Sequence, residues 1–105
     1  MQETEFGEER AVIVACRFGQ VTQWDLDSAF EEAESLTVTA GALPVGRLSQ
    51  ARALPDRRTF LGSGKAKELA TIVAEVRADI VVVNHELSPS QQRNLQETVN
   101  CKVVD

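Results

Sequence analysis

Apolar residues recur along this chain in two alternating spacings. Ala11–Cys16 (AVIVAC) is an unbroken apolar run, the pattern of a strand buried on both faces. Between Asp27 and Ala40 the apolar positions Ala29, Phe30, Ala33, Leu36 and Ala40 predict a helix. Ser28 with Glu31 offers it a capping box, Asp25 and Asp27 are rival caps, and Gly41 stops it. Residues 43–51 (LPVGRLSQA) read as a strand that Pro44 and Gly46 consign to a sheet edge, because proline has no N–H for the ladder. After a loop at 53–59, Gly64–Arg77 carries Ala66, Leu69, Ala70, Val73 and Val76 on one helical face. Asp79–Val83 is a second buried strand, Ser88–Val99 a third helix and Lys102–Val104 a short last strand.

The alternation β-α-β-α-β-α-β specifies an α/β fold with a mainly parallel sheet and helices on both faces. The two most apolar strands belong at the centre, and the proline-bearing second and short fourth at the edges. With right-handed crossovers, strand order 2-1-3-4 satisfies all four preferences. Residues 1–9 form an acidic N-terminal tail and 10–105 the α/β domain. The chain stops directly after its last strand, with no closing helix, which suggests a fragment of a longer protein.

Composition narrows the function classes. With 105 residues, 43% hydrophobic and 26% charged, this is one globular domain with a modest core. No apolar run is long enough for a membrane span, and the acidic start is the wrong sign for a signal peptide. Cys16 and Cys101 show no metal-ligand spacing and read as reduced thiols of a cytoplasmic protein. The net charge of -5 is unevenly distributed: residues 1–34 hold nine acids and two bases. Residues 47–67 hold Arg47, Arg52, Arg57, Arg58, Lys65 and Lys67 against Asp56 alone. Such a basic segment can meet phosphates even on an acidic chain.

Two stretches carry the chemistry. Gly62-Ser63-Gly64-Lys65 imitates a phosphate-binding P-loop, but Thr59 stands where its first glycine belongs and Ala66 where its magnesium-binding hydroxyl belongs. A Walker-type site is therefore excluded; a glycine-rich helix start able to hold an anion, or merely a tight turn, remains. Ser88-Pro89-Ser90-Gln91 is a helix start with Ser88 as N-cap, Pro89 at N1 and Gln91 closing the box. The helix beyond it has only Leu95 apolar between Ser90 and Glu97, so Gln91, Gln92, Arg93, Asn94 and Gln96 meet either water or a partner. In a parallel sheet the loops Arg17–Asp25, Ala53–Ser63 and Asn84–Leu87 all gather at the carboxyl ends of the strands, where ligands of this architecture bind. His85 beside Glu86 reads as a bonded loop pair, and Phe18 and Trp24 as packing anchors or base-stacking candidates. No nucleophilic triad can be assembled, and Cys16-Arg17 and Asn84 replace the acids of a phosphoryl-accepting receiver.

Val45-Gly-Arg-Leu48, Thr59-Phe-Leu-Gly-Ser-Gly-Lys-Ala-Lys-Glu-Leu69 and Asn84-His-Glu-Leu-Ser-Pro-Ser-Gln-Gln-Arg-Asn-Leu95 resemble the N-terminal domain of HflX, a ribosome-associated GTPase family. The resemblance extends from about residue 10 to Asp105, with Pro44 interrupting a strand that is usually more regular. It implies a parent GTPase that binds the large ribosomal subunit, through RNA and protein, and splits or rescues stalled ribosomes. GTP and Mg would belong to a C-terminal GTPase domain beyond this fragment, which itself would hold no cofactor and no catalytic residue. Arg57, Arg58, Lys65 and Lys67 would contact phosphates, with Gly62 and Gly64 allowing close approach. Gln91, Arg93 and Asn94 would bind a partner or brace the Gly62–Lys65 loop. The alternatives are an ATP-binding or ATP-hydrolysing site at Gly62–Lys65, and a regulatory domain restraining the GTPase domain.

Overall fold

Ala11–Cys16 is buried throughout, and Val12, Ile13, Val14 and Ala15 are wholly shielded from solvent although their side chains alternate between the two faces of the sheet. The computed structural model, which describes residues 8–105, extends this segment into β1 (Glu9–Phe18). Six elements follow: α1 (Gln23–Thr39), β2 (Ala42–Arg52), α2 (Ser63–Val76), β3 (Ile80–Val83), α3 (Pro89–Val99) and β4 (Lys102–Val104). The four strands form one parallel sheet in the order β2-β1-β3-β4, as the sequence predicts. Most of the acidic tail lies outside the described residues; β1 begins at Glu9, inside the stretch assigned to that tail.

Alternate β1 residues serve opposite layers. Ala11, Ile13 and Ala15 pack with Leu26, Phe30 and Ala33 of α1. Val12, Val14 and Cys16 pack with Ala66, Leu69 and Val73 of α2 and with Leu95 and Val99 of α3. One helix thus covers one face and two cover the other. Pro44 is accommodated by an irregularity: Ala11 pairs with Pro44 but Val12 with Gly46, leaving Val45 as an extra residue on the edge strand.

The first helix differs from expectation at its start and in its buried stripe. Thr22, not Ser28, Asp25 or Asp27, is the N-cap, and Asp25 closes the capping box. The Asp25 amide donates to Thr22 Oγ1 at 3.1 Å, while Asp25 Oδ2 accepts from the Thr22 amide at 3.1 Å and its hydroxyl at 2.8 Å. This reciprocal pair starts the helix one turn before the segment read as Asp27–Ala40. The stripe then runs Leu26, Phe30, Ala33, Thr37, and the buried Thr37 hydroxyl donates to Ala33 O. Leu36 and Ala40 fall outside it and are exposed. The third helix starts as expected, with the Ser88–Gln91 box and Pro89 in the first turn.

Replacing Thr22 with Ala is expected to cost about 1 kcal/mol in urea unfolding, whereas Ser28→Ala stays within about 0.5 kcal/mol of the parent. Equal losses would contradict the observed cap.

Candidate functional site

All strand-to-helix loops open at the carboxyl edge of the sheet, and their centre is filled by rings. Phe18 ends β1, His85 follows β3 and Phe60 precedes α2. Their ring centres stand 5.7 Å apart for Phe18–Phe60, 5.5 Å for Phe18–His85 and 5.3 Å for Phe60–His85. They occupy the reversal point of strand order, between β1 and β3, where doubly wound sheets bind ligands. Trp24, by contrast, is exposed on the first turn of α1 and anchors no core. His85 Nε2 accepts the Cys16 amide at 3.1 Å, and burial lowers the imidazole's pKa despite the Cys16 carbonyl 3.2 Å away. The neutral ring is thus a structural acceptor. Burial also pushes the Cys16 thiol up to about 11, away from thiolate chemistry.

A hydrogen-bonded turn flanks this plug. Asp56 and Phe60 exchange backbone bonds of 2.8 and 2.9 Å. Asp56 Oδ1 accepts the amides of Arg58 and Thr59 at 2.8 and 3.0 Å, and the Thr59 and Arg58 amides hold its carboxyl below the usual range. Phe60 has φ +66°, a conformation that costs a non-glycine residue about 1–2 kcal/mol; burial of its ring offsets that strain.

The polar third helix holds the turn in place. Gln91 Nε2 donates to Asp56 O at 2.8 Å and Asn94 Nδ2 to Arg58 O at 2.9 Å. Gln92 Nε2 donates to Val103 O at 2.7 Å, while Gln96 Oε1 accepts the Val103 amide at 3.1 Å. Two amides therefore brace the Asp56–Phe60 turn, and two occupy backbone groups of the edge strand β4, blocking its extension. The bracing reaches the turn preceding Gly62–Lys65 rather than that loop itself. Of the three residues assigned to a partner, Gln91 and Asn94 are engaged within the domain and Arg93 is exposed.

The cations divide between faces. Arg47 lies against α1, bonded to Glu34 through two nitrogens at 2.7 and 2.8 Å and 4.9 Å above the Phe30 ring centre. That bond lowers the Glu34 carboxyl's pKa and raises the guanidinium's. Arg57 and Arg58 are exposed on the turn, and Lys67 on α2. Lys65 Nζ is 3.1 Å from Glu68. Gly62, the N-cap of α2, offers no side-chain cap. Its amide donates to Gln50 Oε1 at 2.9 Å, and a Cβ there would collide with Arg52 Nη1; the group closely approaching Gly62 is thus Arg52 of the same domain. Gly64 is exposed, with open space where a Cβ would be.

Two residues outside the predicted set complete the surface. Arg17 and Arg52 line one shallow depression with Gly19 and Ala53, and Arg52 lines the next with Arg57 and Arg58. Arg17 could have been found as the basic residue ending the first buried strand; Arg52 stood within the basic segment. A third depression, between the turn, α2 and α3, joins Arg58, Ser63 and Lys67 with Asp56, Asn94 and Glu97. Among the described residues, no group of three His, Cys, Asp or Glu residues could hold a metal ion.

Parallel strands whose loops present an arginine-rich surface around an aromatic plug define this chain as an α/β domain. The chain belongs to the family described as "GTP-binding GTPase N-terminal", whose model matches residues 27–105. It is 37% identical to the GTPase HflX of Flavobacterium psychrophilum, over 92% of this chain and 24% of that protein. Identity is 38% to the GTPase HflX of Magnetococcus marinus, over 100% of this chain and 24% of the relative. For the GTPase HflX of Escherichia coli K12 it is 37%, over 92% and 22%. These relatives bear out the resemblance carried by Val45–Leu48, Thr59–Leu69 and Asn84–Leu95. The chain spans about a quarter of their length.

Asn94→Ala is expected to free the Arg58 carbonyl and weaken the turn by about 1 kcal/mol. Faster amide hydrogen exchange at Arg58, Thr59 and Phe60 would show it; unchanged exchange would contradict the bracing.

Acid should destabilise the domain in two stages. His85 and Asp56 both have folded pKa values below their ordinary ones, so each contributes stability above its unfolded pKa and loses it as pH falls. The urea midpoint should decline below about pH 6.5 for His85 and again below about pH 3.9 for Asp56. His85→Gln should remove the first decline; its persistence would contradict this assignment.

Proposed function

We propose that this domain is the ribosome-contacting N-terminal domain of an HflX-type GTPase, and that its arginine-rich loop surface meets ribosomal RNA of the large subunit. The observation that carries the reading is the continuity of Arg17, Arg52, Arg57 and Arg58 through two depressions that share Arg52 and Ala53. Guanidinium groups pair with phosphate through planar, charge-assisted bonds. Lys67 and the uncapped first turn of α2 extend this anion-favouring surface. The turn bearing Arg57 and Arg58 is braced before contact, which reduces the ordering cost of binding.

In this reading the parent works in the cytoplasm, and GTP and Mg act in a C-terminal GTPase domain. Recognition by this domain would couple to that domain's activity in splitting or rescuing stalled ribosomes. The ATP alternative fits the geometry poorly, because Gln50 takes the Gly62 amide, Arg52 crowds its Cα and three rings fill the reversal point.

A full-length protein carrying Arg57→Ala, Arg58→Ala and Lys65→Ala should bind large subunits more weakly. Its salt dependence should flatten by about one unit of log–log slope for each cation–phosphate pair abolished. Affinity unchanged across a salt titration would contradict the proposal.

A further inference from the structure

We infer, on the RNA-binding reading of the arginine-rich edge, that Trp24 stacks on an unpaired base of the strand whose phosphates those arginines hold. Trp24 is the one tryptophan of the chain. At 78% exposure it is the most exposed large apolar side chain among the described residues. Phe18, the other base-stacking candidate, is committed to Phe60 and His85 within the plug.

The chain fixes Trp24 at the carboxyl edge. β1 ends at Phe18, and the Val21 amide donates to Phe18 O at 3.4 Å, closing a turn. Thr22 caps α1 and exchanges bonds with Asp25, so the capping box brackets Trp24 and sets its backbone before contact. Leu26 begins the inward stripe of α1, and Trp24, two residues earlier, lies about 200° round the helix from it, on the outward side. Gly19, which lines the depression with Arg17 and Arg52, is five residues back. Even fully extended, that length of chain spans at most about 18 Å, the reach of a few nucleotides.

The chemistry of this turn selects a base. Surfaces for single-stranded nucleic acid combine cations that track the phosphates with aromatic rings on which bases stack. Asp25 and Asp27 beside Trp24 disfavour a phosphate there. Both carboxylates are already engaged, Asp25 by Thr22 and Asp27 by Gln23 Nε2 at 2.9 Å. The neutral ring is the group on this turn that suits a base's face. Such a base is bulged, looped or terminal, because a base inside a duplex has both faces covered.

Full-length proteins carrying Trp24→Leu or Trp24→Phe, bound to large subunits across a salt titration, test this beside the Arg57→Ala, Arg58→Ala, Lys65→Ala protein. Trp24 anchors no core, so urea midpoints should stay at the parent's value. Trp24→Leu should weaken binding at least about fivefold, the lower end for one base stack, with the salt slope unchanged. Trp24→Phe, which keeps a ring, should recover part of that loss. Unchanged affinity of Trp24→Leu while the cation variant binds weakly would overturn the stack and leave the RNA reading standing. Unchanged affinity in both would overturn that reading as well. Equal losses for Leu and Phe would also overturn the stack, and would identify a ribosomal protein packed against Trp24.

Discussion

Burial of β1 on both faces is the constraint from which the domain follows. Val12 and Val14 face α2 and α3 while Ala11, Ile13 and Ala15 face α1, so one strand joins both cores. Its neighbours β2 and β3 both run parallel to it. Parallel pairing then requires every connection to cross from the carboxyl end of one strand to the amino end of the next. That requirement brings Arg17, Arg52 and the Asp56–Phe60 turn to a common edge. A core truncation at Ile13 would remove about 2–5 kcal/mol, a large share of the ~5–15 kcal/mol that a domain commands.

The carboxyl edge is built differently from a nucleotide crevice. Phe18, Phe60 and His85 fill its centre, and a neutral imidazole accepts the Cys16 amide. Arg17, Arg52, Arg57 and Arg58 lie outward of it, around the loops. The helix whose sequence is too polar for packing alone supplies their support: Gln91 and Asn94 hold the turn, while Gln92 and Gln96 cap the edge strand. Carboxamides suit both tasks because each carries donors and an acceptor on a short side chain.

Sequence periodicity disclosed the fold because buried strands and amphipathic helices leave different spacings. Strand order followed from Pro44 and from the relative apolarity of the strands. The start of α1 was less legible: Ser28–Glu31 read as a capping box and Asp25 and Asp27 as rival caps, whereas the cap lies earlier, at Thr22, with Asp25 closing the box from N3. Leu36 looked like core by spacing, but the helix rotation imposed by Leu26 and Phe30 leaves it exposed. The basic segment read as one patch, yet Arg47 points toward α1 and bonds Glu34, since alternate strand residues face opposite layers. The partners of Gln91 and Asn94 could not be read at all, because they are backbone carbonyls more than thirty residues away in sequence.

The central claim is that the braced, arginine-rich edge is the surface that meets ribosomal RNA. Its most direct test places a photo-cross-linking residue at Arg57 or, separately, at Glu75 near the opposite end of α2, in full-length protein bound to large subunits. The account predicts cross-links to ribosomal RNA from position 57 and few from position 75. RNA cross-links from position 75 with none from position 57 would contradict it.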